Sequence, residues 1–96
     1  MQIMKAALAG TLESSDLLVK VAPDARLEIV IHSEVMRQFG ERIRLVVRET
    51  LEKLGVDSGL ILIEDKGALY CAIRARVQTA VLRGAECTEM DWSILA

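Results

Sequence analysis

From Leu27 to His32 apolar and other residues alternate, with Leu27, Ile29 and Ile31 on one side and Glu28, Val30 and His32 on the other. A period of two sends successive side chains to opposite faces, so this stretch reads as a strand with one buried face. Upstream, residues 7 to 22 read as two short strands around a polar turn. The second, Leu17 to Ala22, is rich in β-compatible residues and stops at Pro23. "PDAR" is a turn, because Pro fixes φ and Asp bonds its own backbone. After His32 the period changes. Val35, Met36, Phe39, Ile43, Val46, Val47, Leu51 and Leu54 recur at three- and four-residue steps, with charged residues between them. This predicts an amphipathic helix of about five to six turns. Ser33 is placed to cap its start, Gly40 weakens it locally, and Gly55 is a natural stop.

"GLILIED" is a short, continuous apolar run ending in two acids, which predicts a strand buried on both faces. Asp65 could cap a second helix, whose apolar stripe is Leu69, Ile73, Val77, Ala80 and Val81 and which Gly84 ends. The tail from Ala85 to Ala96 has no clear period, and its Met90, Trp92, Ile94 and Leu95 are expected to dock, on their own domain rather than on a partner. The order is strand, strand, strand, helix, strand, helix. Both helices carry one apolar stripe, so both should pack on one face of a single sheet. The expected fold is α+β, a two-layer sandwich of one small, mostly antiparallel sheet with two helices on one face. Residues 1–96 should form a single domain, with no repeat and no linker.

Composition narrows what such a domain can do. The 96 residues are 52 % hydrophobic but only 3 % aromatic, so the core must be aliphatic. With 12 basic and 14 acidic residues the net charge is −2, which gives no footprint for nucleic acid and no polybasic membrane patch. Two cysteines, Cys71 and Cys87, are too few for a disulfide scaffold or a zinc site and read as free thiols in a reducing compartment. The start, "MQIMKAALAG", has too short an apolar part for a signal peptide, and no run approaches membrane-spanning length. A cytoplasmic protein is expected.

The chain is poor in catalytic groups. Its one histidine, His32, falls on the polar face of a strand, where a solvated or locally bonded role is expected. No HxxxH, CxxC or DxD cluster suggests a metal, and no glycine pattern makes a phosphate-cradling loop. Glu64 and Asp65 are strand neighbours that point to opposite faces, so they do not form a carboxylate pair. What stands out is "AGTLESSDLLVK", Ala9 to Lys20, where Ser14 and Ser15 sit between Glu13 and Asp16 with no activating base close in sequence. Two readings are open. The serines are turn formers, for which Ser and Asp are common residues, or they are exposed hydroxyls that another enzyme modifies. Glu13 and Asp16 either keep the turn solvated or present negative charge to a docking partner.

Four segments, taken together and in order, carry a resemblance. "AGTLESSD" (Ala9 to Asp16), "QFGERIR" (Gln38 to Arg44), "DKGAL" (Asp65 to Leu69) and "CAIRAR" (Cys71 to Arg76) resemble the acyl carrier protein (gamma chain) family of citrate lyase. The likeness runs from Ala9 to about Gly84, and in that family position 15 is also seen as Gly. It implies a non-catalytic carrier subunit, a phosphoprotein of citrate fermentation. Its serine in the E-S-x-D segment, here Ser14, bears phosphoribosyl-dephospho-coenzyme A through a phosphodiester. The thiol of that arm presents acetyl and citryl thioesters to an alpha subunit (acyl transferase) and a beta subunit (acyl lyase), converting citrate to acetate and oxaloacetate. A prosthetic-group transferase and an acetylating ligase are further implied partners. An alternative is the acyl carrier subunit of malonate decarboxylase, whose serine usually sits in a G-S-G-D context. Another is a small interaction domain with unmodified serines. Helical pantetheine carriers fit less well, because this chain predicts strands around Ser14.

Overall fold

The computed structural model describes residues 1–34 and 36–85. The readings for Val35, the Met36 side chain, Cys87, Met90, Trp92, Ile94 and Leu95 lie outside the described residues. The elements are β1 (Ala7–Gly10), β2 (Leu17–Ala22), β3 (Leu27–Ser33), α1 (Met36–Lys53), β4 (Gly59–Asp65) and α2 (Tyr70–Gly84). The fold is the expected α+β one. The sheet order is β1-β2-β4-β3, so β4 is inserted between two strands that are consecutive in the chain. Its pairings with β2 and β3 are antiparallel and parallel, respectively, and β1 pairs with β2 antiparallel. The turn after Pro23 therefore carries the chain around one end of β4, where the Gly59 N–H donates to the Arg26 carbonyl at 3.1 Å.

Both helices cover the same sheet face, α2 over β1 and β2, and α1 over β3 and against α2. Ala9, Leu17, Val19, Val21, Ile31, Ile61 and Ile63 point into this interface and are buried, as are Ile43, Val47 and Leu51 of α1 and Ile73, Val77, Ala80 and Val81 of α2. Each Val, Leu or Ile side chain among them contributes roughly 1.5–3 kcal/mol on burial, and together they form the aliphatic core that the composition required.

Four local expectations are corrected. β4 is buried on one face only: Leu60, Leu62 and Glu64 alternate with the buried positions and are half-buried beside neighbours on β2 and β3. A continuous apolar run matched a doubly covered strand, but both helices went to the other side. Ser33 does not start α1; it is the last residue of β3, and its hydroxyl donates to Asp65 Oδ2 at 2.7 Å. Asp65 accepts the Ala68 N–H at 2.9 Å and so closes the turn ahead of α2, whose N-cap position is Leu69 with no side-chain cap. Leu69 and Phe39, read as core, are 73 % and 43 % exposed, Leu69 at the N-cap of α2 and Phe39 in the first turn of α1.

The other helix boundaries have clear causes. Gly55, at φ +70°, lets its own N–H bond the Glu52 carbonyl and the Val56 N–H bond the Leu51 carbonyl, which closes α1 with a left-handed residue. Gly84 is the last residue of α2, and a Cβ there would lie 2.8 Å from Val21 Cγ2. It ends the helix where the helix presses closest on β2.

Candidate functional site

The β1–β2 hairpin closes through residues 11–16, and the two serines stand at its tip. Asp16 N–H donates to the Glu13 carbonyl at 3.1 Å, and Ser15 has φ +65° while Ser14 does not enter the left-handed region. These are the marks of a type II turn with Ser14 and Ser15 as its central residues. The third position of such a turn prefers glycine, since a side chain there meets its own backbone. That accounts for glycine at position 15 in the resembling family. Ser15 is the one described non-glycine residue with a positive φ.

The turn is held from three sides. Within the loop, Thr11 Oγ1 donates to Asp16 Oδ2 at 2.7 Å and accepts the Glu13 N–H at 3.2 Å, while Asp16 Oδ1 accepts the Leu17 N–H at 2.8 Å. From α2, Arg76 reaches the same carboxylate with two nitrogens, Nε at 3.4 Å from Oδ1 and Nη2 at 3.2 Å from Oδ2. From the loop after β4, the Lys66 carbonyl accepts the Ser15 N–H at 2.8 Å and the Lys66 N–H donates to the Asp16 carbonyl at 2.9 Å. The Thr11 hydroxyl, the Leu17 amide and the Arg76 guanidinium hold the Asp16 carboxyl below its ordinary value of 3.8. At the base of the hairpin Gly10 has φ +99°, and a Cβ there would stand 1.9 Å from the Leu17 carbonyl oxygen.

Asp16 is thus a brace. Its carboxylate is engaged by Thr11, Leu17 and Arg76, whereas Glu13 stays exposed. Ser14 and Ser15 are exposed, and among the described residues no side chain hydrogen-bonds to either hydroxyl. Sequence reasoning missed Thr11, Lys66 and Arg76 as positioning residues; the signal was present in "AGT", "DKG" and "RAR", whose contacts with the serine segment are made through space. His32 lies exposed on the open sheet face opposite Glu64 in the register, away from this turn. Cys71 is exposed and free. Among the described residues no group of three or more His, Cys, Asp and Glu is placed to hold a metal ion, and no helix is long and apolar enough to cross a membrane.

A cavity of about 230 Å³, open to solvent, is lined by Phe39, Ile43, Asp65, Gly67, Ala68, Leu69 and Tyr70. Lys66, the residue stitched to Ser15 and Asp16, stands in the chain between two of these, Asp65 and Gly67.

The fold is a two-layer domain with two exposed serines on a braced hairpin tip. A family model described as "Malonate decarboxylase delta subunit (MdcD)" matches residues 4–84. The chain is 66 % identical to the citrate lyase acyl carrier protein of Enterobacter sp. (strain 638), over 97 % of each chain. It is 60 % identical to that of Pectobacterium carotovorum, over 99 % of this chain and 100 % of the relative. The fold also matches a chain in the crystal structure of a Pseudomonas malonate decarboxylase hetero-tetramer in complex with malonate. There the TM-score is 0.75 and the identity 24 %, over 84 % of each chain. The chain belongs to the citrate lyase acyl carrier protein family. Members of such a family work through a covalently attached prosthetic group within a multi-subunit complex.

Proposed function

We propose that Ser14 carries phosphoribosyl-dephospho-coenzyme A through a phosphodiester, and that the chain delivers acyl groups to the catalytic subunits of citrate lyase. One observation carries the reading. Ser14 is an exposed hydroxyl that no side chain among the described residues bonds, at the corner of a turn fixed by Thr11, Lys66 and Arg76. A serine that is to be modified by another enzyme needs accessibility and a defined backbone, and it needs no base of its own. Ser15 is the poorer acceptor, because its backbone is tied to Lys66 and its position favours glycine.

The residues fit such a group: the Ser14 residue is exposed, and an apolar cavity opens on either side of Lys66, which is bonded to the turn. When attached, the group supplies a thiol that holds the acyl unit while citrate is converted to acetate and oxaloacetate. The protein supplies the anchor and the docking. Tethering raises the effective concentration of the acyl unit at each active site without tight binding of free substrate. The chain itself is non-catalytic in this scheme. Its partners are the alpha acyl transferase subunit, the beta acyl lyase subunit, the prosthetic-group transferase and the acetylating ligase, all in the cytoplasm. Residues 1–96 act as one carrier domain.

The test is the intact mass of the chain made together with its transferase. Wild type and Ser15→Ala should gain the mass of one phosphoribosyl-dephospho-coenzyme A group, and Ser14→Ala should gain none while keeping its fold. Reconstituted lyase activity should follow the mass. An increment retained in Ser14→Ala and lost in Ser15→Ala would move the anchor by one residue; an unmodified wild type would remove the carrier reading.

A further inference from the structure

The cavity flanking Lys66, the residue bonded to the serine turn, has features that packing alone does not call for. Phe39 and Leu69, at its edge, are large apolar side chains left 43 % and 73 % exposed. Tyr70 is half-buried beside them. These include two of the few aromatic residues in the chain, which has one Phe, one Tyr and one Trp. Where a side chain on Gly67 would begin, no atom lies within 4 Å, so the wall is open at that point. Asp65 in the floor is 2 % exposed, but both its oxygens are already engaged, by Ser33 and Ala68. The surface offered is therefore apolar and aromatic, suited to a flat ring and not to a cation.

Position selects the ring. The proposed arm is joined to Ser14 through its phosphoribosyl end, so its adenine is the ring system nearest the anchor and its thiol is the farthest group. Ser15 is hydrogen-bonded to Lys66, and Lys66 stands between two residues that line the cavity, Asp65 and Gly67. We propose that this cavity, between Phe39 and Ile43 of α1 and the Gly67–Tyr70 segment, seats the adenine ring of the attached arm. This rests on Ser14 being the anchor. The rings of Phe39 and Tyr70 stack against the base, as aromatic side chains do against any nucleobase. Seating the base near its root shortens the mobile part of the arm to the pantetheine portion, which stays free to visit partner active sites. It also gives Phe39 and Leu69 a reason to be exposed.

The experiment compares isotope-labelled apo chain with the chain loaded by its transferase, by NMR, with intact mass recorded on the same samples. The expected result is chemical-shift change at Ile43, Ala68 and Leu69, with nuclear Overhauser contacts from adenine protons to the Phe39 and Tyr70 rings. Phe39→Ala, at an exposed position, should keep the full mass increment and lose those contacts and most of the shifts. A loaded chain whose shift changes stay within residues 11–16 would overturn the adenine seat and leave Ser14 as the anchor. A chain that gains no mass would overturn both, so the two failures are told apart by mass alone.

Discussion

Arg76 and Asp16 are sixty residues apart in the chain and meet in a two-nitrogen contact, at 3.2 Å and 3.4 Å, that ties α2 to the serine turn. The helix that packs over β1 and β2 therefore also sets the position of the hairpin tip. Replacing Arg76 by Gln should leave the core intact, because the arginine is 42 % exposed in its side chain. The expected result is a near-native thermal midpoint with a lower rate of modification by the transferase. Amide exchange should be faster at residues 12–16. An unchanged modification rate would show that Thr11 and Lys66 hold the turn without help.

The Asp16 carboxyl sets a pH limit on the turn. Its pKa in the folded chain lies below the ordinary 3.8, through Thr11 first, then Leu17 and Arg76. A depressed carboxyl stabilises the fold above its unfolded value, and that contribution is lost as pH falls through the folded pKa. The turn should therefore be unchanged from neutral pH down to the ordinary carboxyl range and should loosen only below 3.8. A carbon-detected NMR titration of Asp16 in wild type and Thr11→Val reads this directly, with the Asp16 midpoint moving upward in the variant.

Ser15 is in the left-handed region at φ +65°. Relieving it with glycine removes a strain of about 1–2 kcal/mol, against the larger chain entropy that glycine must lose, about 0.5–1 kcal/mol. Ser15→Gly should raise unfolding stability by roughly 0.5–1 kcal/mol on these two figures, measured by urea denaturation, and should still be modified. Ser15→Val should destabilise, since a β-branched side chain suits that region least.

Gly10 should be the least replaceable residue of the hairpin. A Cβ at that position would stand 1.9 Å from the Leu17 carbonyl oxygen, which is backbone and cannot turn aside. Gly10→Ala should cost about 3 kcal/mol or more, in the range of mutations that break a special backbone conformation, and should lower modification in parallel with stability.

Asp65 links β4, β3 and the cavity floor. It is 2 % exposed, and its oxygens take the Ser33 hydroxyl and the Ala68 amide. Asp65→Ala removes the acceptor of both bonds, and losing the acceptor of the Ala68 amide alone costs about 1–3 kcal/mol. The expected outcome is a clear fall in thermal midpoint, with Asp65→Asn intermediate because its carbonyl still accepts one of the two bonds.

Much of this protein was legible along the chain because periodicity is local. The alternation of β3, the three-and-four spacing of α1 and α2, and the stops at Pro23 and Gly55 each follow from which face a side chain shows to the core, and all of these elements stand where the pattern put them. The serine segment was legible too, as a turn between two strands with exposed serines. The errors at Ser33, Asp65, Leu69 and Phe39 share a cause. Ser33 and Asp65 end β3 and β4, Leu69 precedes α2 and Phe39 lies in the first turn of α1, where the local period no longer fixes which neighbours a side chain meets.

By itself the sequence determined the elements, the aliphatic core and the exposed serine turn, since each depends on neighbours within a few residues. Only the tertiary structure decided that β4 would lie between β2 and β3, that Leu60 and Leu62 would fall on the sheet face away from the helices, and that Arg76 and Lys66 would hold the turn bearing Ser14. Strand order and cross-chain contacts are set by how loops close and which faces meet in space. Residues sixty positions apart, such as Asp16 and Arg76, share no local period that could announce their contact.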